Sequence, residues 1–507
     1  MSIEDKDCFI GIDVGTQGTK ALLYHPATKS VIGRSSQSYG LDESTPGRAE
    51  QDPDIWVDAI TKVLRDLSCA HGLSNNEKYV VRGIGVSGQQ HGMVVLDEDC
   101  KVIRPAKLWC DVEAADQSAE FSKKIGKVVA PGFTAPKVIW LKENEPHNYE
   151  RMKYCCLPHD YINFLLTGEK IICTDAGDAS GQGVFDTETR SFDTNLAVLA
   201  TGDEKYSKSL PRVLEPNEIA GFLSPKWKRL VDIDINDDTQ IVVSAGSGDN
   251  MCSALGCGCV EQGKVVLSLG TSGTIFAVSN ETVSDKSGIV APFCDATGHH
   301  LPLICVMSCT GVLQEVLENW CVMGGVETHA QAEQLASMEP AGCYNINFLP
   351  YLSGERTPNW PHATGAILGL SKGKVSPGLI YRAALEGITY NLFDGLENMR
   401  RQSGGFEPTS LICVGGGSKN KLWRQIISDV FNLPLQFPTE PESAALGAAF
   451  QAGAAALNIP VDKYVLEQDV PMEKDSVYPT KDAESLANYK VALERHRQLS
   501  SKLFGSA

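Results

Sequence analysis

The sequence predicts an α/β protein that contains two similar domains. Short apolar segments typical of buried strands alternate with segments of helical periodicity, which is the pattern of α/β architecture. A strand, a Gly-Thr-x-Gly-Thr turn and a second strand occur near the start of the chain, and the same turn recurs about half the chain later, at residues 15–19 and 270–274. A chain of 507 residues is long enough for several domains, so an internal duplication accounts for these observations.

The two repeats have the same arrangement of strands around the turn. In the first repeat, residues 9–14 and 21–24 are the apolar strands, and in the second repeat residues 265–269 and 275–278 take their places. A glycine-containing turn between two apolar strands predicts a tight β-hairpin. A five-residue match alone can arise by chance, but the matching strands on both sides favour duplication. We therefore expect a boundary near residues 252–262, with domains at residues 1–255 and 256–507.

Three further strands are followed by polar or glycine-rich segments. Residues 80–86 precede Ser-Gly-Gln-Gln-His-Gly at 87–92, residues 239–244 precede Gly-Ser-Gly-Asp-Asn at 246–250, and residues 410–414 precede Gly-Gly-Gly-Ser at 415–418. Apolar residues at helical spacing between Ile380 and Met399 predict a helix before the last of these strands. Ligands of open α/β sheets bind outside the carboxyl ends of the strands, so these segments are candidate binding elements.

Composition and charge exclude several classes of function. The net charge of −18 argues against nucleic acid or an anionic membrane as a general partner. No apolar run approaches the ~20 residues needed to span a bilayer, and the first residues lack the apolar core of a secretory signal. The sixteen cysteines have no zinc-finger spacing and are expected to be reduced thiols. We expect a cytoplasmic protein; its oligomeric state stays open, with a homodimer as the candidate assembly.

The two Gly-Thr turns are candidate phosphate-binding elements. Glycine lets backbone N–H groups approach phosphate oxygens, and threonine adds a hydroxyl donor. Neither a P-loop nor a dinucleotide-binding glycine fingerprint follows any of the predicted strands. Asp13 lies in the apolar strand before the first turn, where the second repeat has Ser268, so the fold itself does not require an acid there. A carboxylate that binds a metal ion beside phosphates accounts for Asp13.

Other candidate residues have a structural interpretation as well as a functional one. The glycines at 415–417 suit either a tight strand–helix connection or the close approach of a ligand to the backbone. A single histidine such as His91 is more often structural than catalytic. Asp249 and Asn250 follow a strand and precede a helix, where such residues commonly serve only as an N-cap.

In their order and spacing, these motifs resemble those of the FGGY carbohydrate kinases, in particular the members that act on xylulose. The resemblance covers about residues 8–455 and depends on residues 11–20, 50–53, 87–92, 132–140, 248–250, 268–273, 351–358, 415–418 and 442–449. Two positions depart from the family pattern. Leu379 replaces a residue that is usually polar, and Cys110 replaces the asparagine of a Trp-Asn-Asp segment near the sugar pocket.

The resemblance implies two duplicated actin-like (ribonuclease H-like) domains on either side of a deep catalytic cleft, with the sugar bound mainly by the first and ATP by the second. It implies the ATP-dependent phosphorylation of D-xylulose at its 5-hydroxyl, with Asp249 as the general base and Asp13 binding Mg²⁺ directly or through water. The implied ligand-binding residues are Gly15, Thr16, Gly270 and Thr271 for the phosphates, Gly415, Gly416 and Asn420 for the adenosine, and Gln90, His91, Asp249 and Asn250 for the sugar.

Three alternatives remain open at the level of sequence. The first is a kinase of the same family that acts on ribulose, gluconate, fuculose or glycerol. The second is an actin-like ATPase module, which would share the phosphate-binding hairpins but would hydrolyse ATP without stimulation by a sugar. The third is a catalytically silent family member, against which the presence of both Asp13 and Asp249 argues.

Overall fold

The computed structural model describes residues 4–76, 78–168, 171–235, 239–283 and 285–505. The strands within these ranges, in chain order, are β1 (Asp7–Val14), β2 (Gly18–His25), β3 (Ser30–Ser38), β4 (Glu50–Gln51), β5 (Val80–Gly88), β6 (Val94–Leu96), β7 (Ala106–Lys107), β8 (Tyr154–Cys156), β9 (Cys173–Asp175), β10 (Phe185–Asp186), β11 (Ser191–Phe192), β12 (Arg212–Leu214), β13 (Ile219–Phe222), β14 (Val242–Ser244), β15 (Ser247–Gly248), β16 (Lys264–Leu269), β17 (Gly273–Ala277), β18 (Ala291–Cys294), β19 (His300–Val306), β20 (Asn347–Leu349), β21 (Ala366–Leu368), β22 (Ser410–Val414) and β23 (Leu435–Gln436).

The helices of the same residues are α1 (Pro53–His71), α2 (Ala115–Ile125), α3 (Thr134–Asn144), α4 (Pro146–Arg151), α5 (Pro158–Leu166), α6 (Ala176–Ala179), α7 (Thr194–Thr201), α8 (Lys205–Ser209), α9 (Pro225–Val231), α10 (Asp249–Gly256), α11 (Thr310–Val316), α12 (His329–Ser337), α13 (Pro377–Gln402), α14 (Lys421–Phe431), α15 (Ser443–Leu457), α16 (Val461–Gln468) and α17 (Ala483–Phe504). Helix α13 contains the apolar stripe that the sequence predicts between Ile380 and Met399.

Two large sheets that share the topology of a five-strand core organise the molecule. The strand order of the first sheet is β13–β14–β5–β1–β2–β3, and that of the second is β18–β19–β17–β16–β22–β23. In the first sheet β1 pairs antiparallel with β2 and parallel with β5, whereas in the second β16 pairs antiparallel with β17 and parallel with β22. Both predicted hairpins are therefore present, and the repeated topology confirms the prediction of a duplicated α/β fold.

Apolar side chains pack on both faces of the two sheets. One buried cluster joins the first sheet to α1 and α5, and another joins the second sheet to α11, α13 and α14. A third cluster fills the space between the sheets, where Phe9 and Tyr24 of the first sheet and Val266 and Phe276 of the second sheet pack with α10, α15 and α16. Burial of apolar side chains is the main source of stability, so this shared cluster holds the two halves together.

Helix α15 comes from the second half of the chain but packs against the first sheet. It approaches strand β1 closely because Gly11 faces it: a Cβ at Gly11 would lie only 1.7 Å from the carbonyl oxygen of Ala445. Helices α10 and α15 also approach each other closely, since a Cβ at Gly447 would lie 1.8 Å from the carbonyl oxygen of Cys252. Glycine is required at both contacts, and the two halves are interlocked through α15.

Within the described ranges, no single helix combines the length and apolar composition needed to cross a bilayer. Among the residues that the structure describes, one bent pair of helices, Ser443–Leu457 and Val461–Gln468, meets those two criteria jointly.

Candidate active site

The carboxyl ends of the parallel strands in the first sheet bring three polar segments together. In the strand register, Ser87 of β5 lies opposite both Asp13 of β1 and Ser247 of β15. The hydroxyl of Ser87 donates a hydrogen bond to Asp13 Oδ1 at 2.8 Å. The first hairpin turn, the segment after β5 and the start of α10 therefore meet at one edge of the sheet.

Beside this edge, a cavity of about 250 Å³ lies between the two halves of the molecule. The first half of the chain provides polar side chains and the aromatic rings of Trp109 and Phe133. The second half provides hydroxyl, thiol and apolar groups and one guanidinium. The polar and aromatic lining residues are Gln90, His91, Trp109, Phe133, Asp249, Asn250, Ser268, Ser272, Thr274, Phe293, Cys305 and Arg356. The volume and the mixture of aromatic and hydrogen-bonding groups suit a small polar ligand.

Gln90 and Asn250 form a connected pair of amides in this cavity. Asn250 Nδ2 donates hydrogen bonds to Gln90 Oε1 at 2.8 Å and to Asp249 Oδ1 at 2.9 Å. Gln90 Nε2 is buried and has no hydrogen-bond partner among the described residues. Because buried polar groups are normally hydrogen-bonded, this free donor is available to a ligand.

His91 is held in a fixed position at the wall of the cavity. Its ring packs between Phe133 and Phe293, with centroid distances of 4.8 and 5.4 Å, and its backbone adopts a left-handed conformation with φ of 64°. Thr134 Oγ1 and Lys137 Nζ donate hydrogen bonds to its carbonyl oxygen at 3.2 and 2.9 Å. Burial holds the pKa of His91 well below its usual value, so the imidazole is neutral and offers an acceptor nitrogen.

Asp249 is the first residue of helix α10 and is not its N-cap. Gly248 occupies the N-cap position, and Asp249 Oδ1 accepts hydrogen bonds from the backbone N–H and the side-chain amide of the adjacent Asn250. The simple capping interpretation of Asp249 is therefore wrong. Burial raises the pKa of Asp249 to about 8, with further contributions from the charges of Asp13 and Asp178. Once ionised, a carboxylate with a raised pKa is a stronger proton acceptor than an ordinary aspartate.

Asp13 has the chemistry expected of a magnesium ligand. It is half-buried, and after burial its charge is the next cause that raises the pKa of Asp249, so the two carboxylates repel each other when both are ionised. Burial also raises the pKa of Asp13. A divalent cation would offset this repulsion, and Mg²⁺ is commonly bound through one or two carboxylates together with phosphate oxygens. The residues present therefore fit the ion.

A second acidic cluster, formed by Glu50, Asp111 and Glu113, has a different explanation. The ammonium group of Lys107 lies among these carboxylates, 2.9 Å from Glu50 Oε1 and 3.2 Å from Asp111 Oδ2, and also pairs with Glu113. Lys107 is fully buried. The lysine therefore occupies the position that a cation would take, and the cluster is a buried ion-pair network rather than a metal site.

A larger cavity, of about 730 Å³, lies in the second half beside the second hairpin. The residues that line it include Thr271, Thr310, Gly311, His329, Glu333, Tyr381, Gly416, Gly417, Lys419, Asn420 and Trp423. Asn420 also caps helix α14, since its Oδ1 accepts a hydrogen bond from the backbone N–H of Trp423 at 2.8 Å. A cavity of this size is large enough for a nucleoside.

The second hairpin separates the two cavities and has residues in both. Ser268, Ser272 and Thr274 line the first cavity, whereas Thr271 lines the second. The turn is fixed in position because Thr310 donates hydrogen bonds to the carbonyl oxygen of Gly270 from both its backbone N–H, at 3.0 Å, and its hydroxyl, at 2.6 Å. A ligand that extends from one cavity to the other would pass along this turn.

The structure brings most of the residues singled out from sequence into these two cavities. Gln90, His91, Asp249 and Asn250 line the first, and Thr271, Gly416 and Asn420 line the second. The remaining residues, Asp13, Gly15, Thr16, Gly270 and Gly415, lie at the adjacent strand ends and turns without lining either cavity. The hydroxyl of Thr16 is already engaged, since it donates to Gln89 Oε1 and accepts from Trp109 Nε1, each at 3.0 Å.

Several lining residues were not assigned a role from sequence, among them Phe133, Phe293 and Arg356. Phe133 and Arg356 lie within motifs that carry the family resemblance, so their motif membership was a usable signal. Phe293 is in β18, in a segment without a chemical motif, and only the fold brings it against His91.

Comparison with known proteins gives the same family over both halves. The models of the FGGY family of carbohydrate kinases match residues 8–256 with the N-terminal domain and residues 265–456 with the C-terminal domain. The xylulose kinase of Haemophilus influenzae is 34% identical over 98% of this chain and the whole of that protein. Among solved structures, a xyloylose kinase from Brucella ovis has a TM-score of 0.88 at 30% identity, covering 98% of this chain and 99% of that chain. A gluconate kinase from Lactobacillus acidophilus has a TM-score of 0.87 at 26% identity, covering 99% of both.

Proposed function

Because the chain belongs to the FGGY family of carbohydrate kinases, we propose that it transfers the γ-phosphoryl group of ATP to the 5-hydroxyl of D-xylulose and forms D-xylulose 5-phosphate. The observation that carries this proposal is the position of the second hairpin between a small polar cavity and a larger one. A sugar in the first cavity and the nucleoside of ATP in the second would place the phosphates along the hairpin. Phosphoryl transfer depends mainly on such positioning and on charge stabilisation.

Asp249 is the proposed general base. It lines the sugar cavity, and bound Mg²⁺ would favour its ionised form, whose raised pKa makes it a good acceptor for the proton that the sugar hydroxyl loses as its oxygen attacks phosphorus. The hydrogen bonds from Asn250 hold Oδ1 of this carboxylate in place. The orientation of the base is thus set before the substrate binds.

Gln90, His91 and Asn250 are the proposed sugar-binding residues of the first half. The free Nε2 of Gln90 is a donor, and the neutral ring of His91 offers an acceptor, so together they suit the hydroxyl groups of a sugar. The aromatic rings of Phe133 and Phe293 fix the position of His91 and give the cavity apolar walls. A neutral polyhydroxylated ligand would have both kinds of partner here.

We propose that Thr271, Gly416 and Asn420 of the second half contact the nucleotide. Gly15 and Thr16 of the first half and Gly270 and Gly415 of the second half shape the adjacent turns. Asp13, with Asp249 nearby, would hold Mg²⁺. When bound with ATP, this ion neutralises charge on the phosphate oxygens. The turns would contribute backbone N–H groups as hydrogen-bond donors to the phosphate oxygens. Such donors do not depend on the side chains of the turn residues.

The proposal is tested by measuring ADP release with ATP and a panel of D-xylulose, D-ribulose, L-fuculose, glycerol and gluconate. We expect the highest kcat/KM with D-xylulose. A higher kcat/KM with another compound would assign a different substrate within the family, and ATP hydrolysis without stimulation by any of them would favour the ATPase alternative.

A further inference from the structure

The sugar cavity contains one permanently positive group, and this group comes from the second half of the molecule. Arg356 is the single lysine or arginine among the described residues that line the cavity. The other polar lining groups are neutral, apart from the carboxylate of Asp249. Among the described lining residues, the guanidinium alone therefore offers a sugar hydrogen-bond donors that carry a permanent positive charge.

No carboxylate of the described residues forms an ion pair with Arg356. Its side chain is half-buried, and it reaches the thiol of Cys305, which lies on β19 and also lines the cavity. Its charge also acts on His91, on the opposite half of the molecule: after burial and Lys137, Arg356 is the next cause that lowers the pKa of His91. An unpaired guanidinium in a partly desolvated cavity has N–H donors that remain available to a ligand.

The backbone that presents Arg356 is fixed by its neighbour Glu355. The buried carboxylate of Glu355 accepts hydrogen bonds at Oε1 from the backbone N–H groups of Met307 and Arg356, both at 2.8 Å, and of Thr357 at 3.3 Å. At Oε2 it accepts a hydrogen bond from Asn391 Nδ2 of helix α13 at 3.2 Å. Hydrogen bonds to an ionised group are stronger than neutral ones, so this arrangement ties the loop to both β19 and α13.

The ends of the loop are fixed as well. Glu355 and Trp360 exchange two backbone hydrogen bonds, at 3.0 and 2.9 Å. Tyr351 packs its ring against Trp360 and Phe504, and its hydroxyl lies 3.2 Å from Ser500 Oγ in helix α17. A loop restrained on both sides and at its centre holds the side chain between them in a defined position, which lowers the entropic cost of using it in binding.

We propose that Arg356 is a substrate-binding residue that contacts the sugar from the second half, and that Glu355 is its positioning residue. The inference rests on the proposed function, because it takes the first cavity as the sugar site. The guanidinium donates hydrogen bonds to oxygens of the sugar, while Gln90, His91 and Asn250 bind it from the first half. The sugar thereby contacts both the half that carries Asp249 and the half that carries the nucleotide cavity.

The first experiment compares Arg356→Gln and Arg356→Lys with the unchanged protein, using KM for D-xylulose, KM for ATP and the melting temperature. Loss of a hydrogen bond from a charged donor should raise KM for the sugar about 10- to 100-fold in Arg356→Gln, while KM for ATP stays within about twofold. Arg356→Lys should recover part of the loss, because it keeps the charge without the planar fork. Asn359→Ala, at an exposed position of the same loop, is the matched control and should leave all three values unchanged.

The second experiment separates positioning from simple stability. Glu355→Gln should raise KM for the sugar less than Arg356→Gln does, and it should add no further rise in a protein that already carries Arg356→Gln, because Glu355 acts through Arg356. Additive effects on KM for the sugar would assign Glu355 an independent role. A lower melting temperature with unchanged KM for the sugar in Glu355→Gln would make it a structural residue only.

The inference about Arg356 is overturned if folded Arg356→Gln keeps the original KM for the sugar, or if its KM values for sugar and ATP rise in parallel. Failure of the proposed function is recognised separately, since it appears in the unchanged protein as a preference for another compound of the panel. In that case KM for the preferred compound replaces KM for D-xylulose in the same comparison. If Arg356→Gln does not fold, Arg356→Lys is the test variant instead. We then expect KM for the sugar to rise while KM for ATP stays unchanged.

Discussion

Ser87 Oγ donates a hydrogen bond to Asp13 Oδ1 at 2.8 Å, and the two residues are also opposite each other in the parallel register of β1 and β5. This contact fixes the orientation of a half-buried carboxylate at the end of β1, next to the first hairpin turn. The equivalent strand of the second sheet has Ser268 at the corresponding position, so the hairpin forms without an acid there. The carboxylate of Asp13 is therefore available for a function.

Asp13→Ala should strongly reduce turnover and leave the fold of the ligand-free protein intact. The reason is that the acid is proposed to hold Mg²⁺, whereas the strand tolerates a neutral residue, as Ser268 shows. Asp13→Asn should behave alike, because it keeps the size of the side chain and loses only the charge. Turnover as a function of Mg²⁺ concentration, together with the melting temperature, checks this. Near-normal activity with an unchanged Mg²⁺ requirement in either variant would remove Asp13 from the mechanism.

Gly181→Ala should weaken sugar binding without affecting nucleotide binding. A Cβ at this position would lie 1.8 Å from Nδ1 of His91, whose ring is also confined by Phe133 and Phe293, so the imidazole must move. We expect KM for D-xylulose to rise about tenfold, on the order of one lost hydrogen bond, while KM for ATP stays the same. Steady-state kinetics with each substrate varied in turn measures this. An unchanged KM for the sugar would show that the ring position of His91 is unimportant for binding.

Local signals were enough to predict the hairpins from sequence, because glycine turns between apolar strands specify β-hairpins through a few adjacent residues. Gln90, His91, Asp249 and Asn250 follow strands, but their proposed role in sugar binding came from the resemblance to the family. The position of Asp249 relative to its helix was not predictable in this way. It depends on the backbone of Gly248, whose φ of −64° and ψ of 156° make that residue the N-cap.

Long-range packing accounts for what the sequence did not predict. Phe293 and Arg356 reach the first cavity from the second half, and no periodicity or spacing near them refers to His91 on the other side. Helix α15 packs on the first sheet although it follows the last strand of the second sheet in the chain. The small residues of α15 and the glycine at position 11 can be read from the sequence. That α15 packs against Gly11 of β1 follows only from how the two halves of the chain pack together.

Gly416→Leu should impair nucleotide binding and leave stability unchanged. Gly416 lines the larger cavity, and a Cβ there would meet no atom within 4 Å, so a side chain can be added without a clash in the protein itself. The same side chain would project into the space proposed for adenosine. We expect KM for ATP to rise at least tenfold, with little change in KM for the sugar.

Gly40→Leu is the matched control, since a Cβ at Gly40 also meets nothing within 4 Å and Gly40 lies in neither cavity. Equal KM values for ATP in both variants would contradict the assignment of this cavity.

Lys137 should make the stability of the protein depend on pH. Burial lowers the pKa of this lysine from 10.5 to about 7 in the folded state, where its ammonium nitrogen donates to the carbonyl oxygens of His91 and Gly132. Between these pKa values the unfolded chain binds one proton more than the folded protein. The contribution of Lys137 to the free energy of unfolding should therefore rise with pH from about 7 upwards, by at most about 1.4 kcal/mol per pH unit.

Lys137→Met removes this contribution and provides the comparison. Denaturant unfolding at pH 7, 8 and 9 should show the unchanged protein gaining stability relative to the variant as the pH rises. The loss of two hydrogen bonds in the variant is nearly independent of pH and cancels from the trend. Parallel curves for the two proteins would mean that Lys137 is charged in the folded state throughout this range.

Asp249→Asn gives the most direct test of the proposed mechanism. Asparagine retains an Oδ1 acceptor for the backbone N–H of Asn250 and is nearly the same size, but it cannot accept a proton from the sugar hydroxyl. General-base catalysis typically contributes ~10²–10⁴-fold to the rate, so turnover should fall by about that factor. KM for ATP should change little, because the larger cavity does not include this residue.

The stability of Asp249→Asn separates catalysis from a structural role, and the pKa of Asp249 fixes the sign of the effect. Burial and the nearby carboxylates of Asp13 and Asp178 raise this pKa from 3.8 to about 8, so the ionised side chain is disfavoured in the folded state. Near pH 7 the neutral asparagine avoids this cost, and the melting temperature should stay the same or rise. A variant that is inactive yet at least as stable as the unchanged protein would leave Asp249 as the base. An active variant would exclude it, and an inactive variant with a lowered melting temperature would indicate that the carboxylate supports the fold of the strand ends instead.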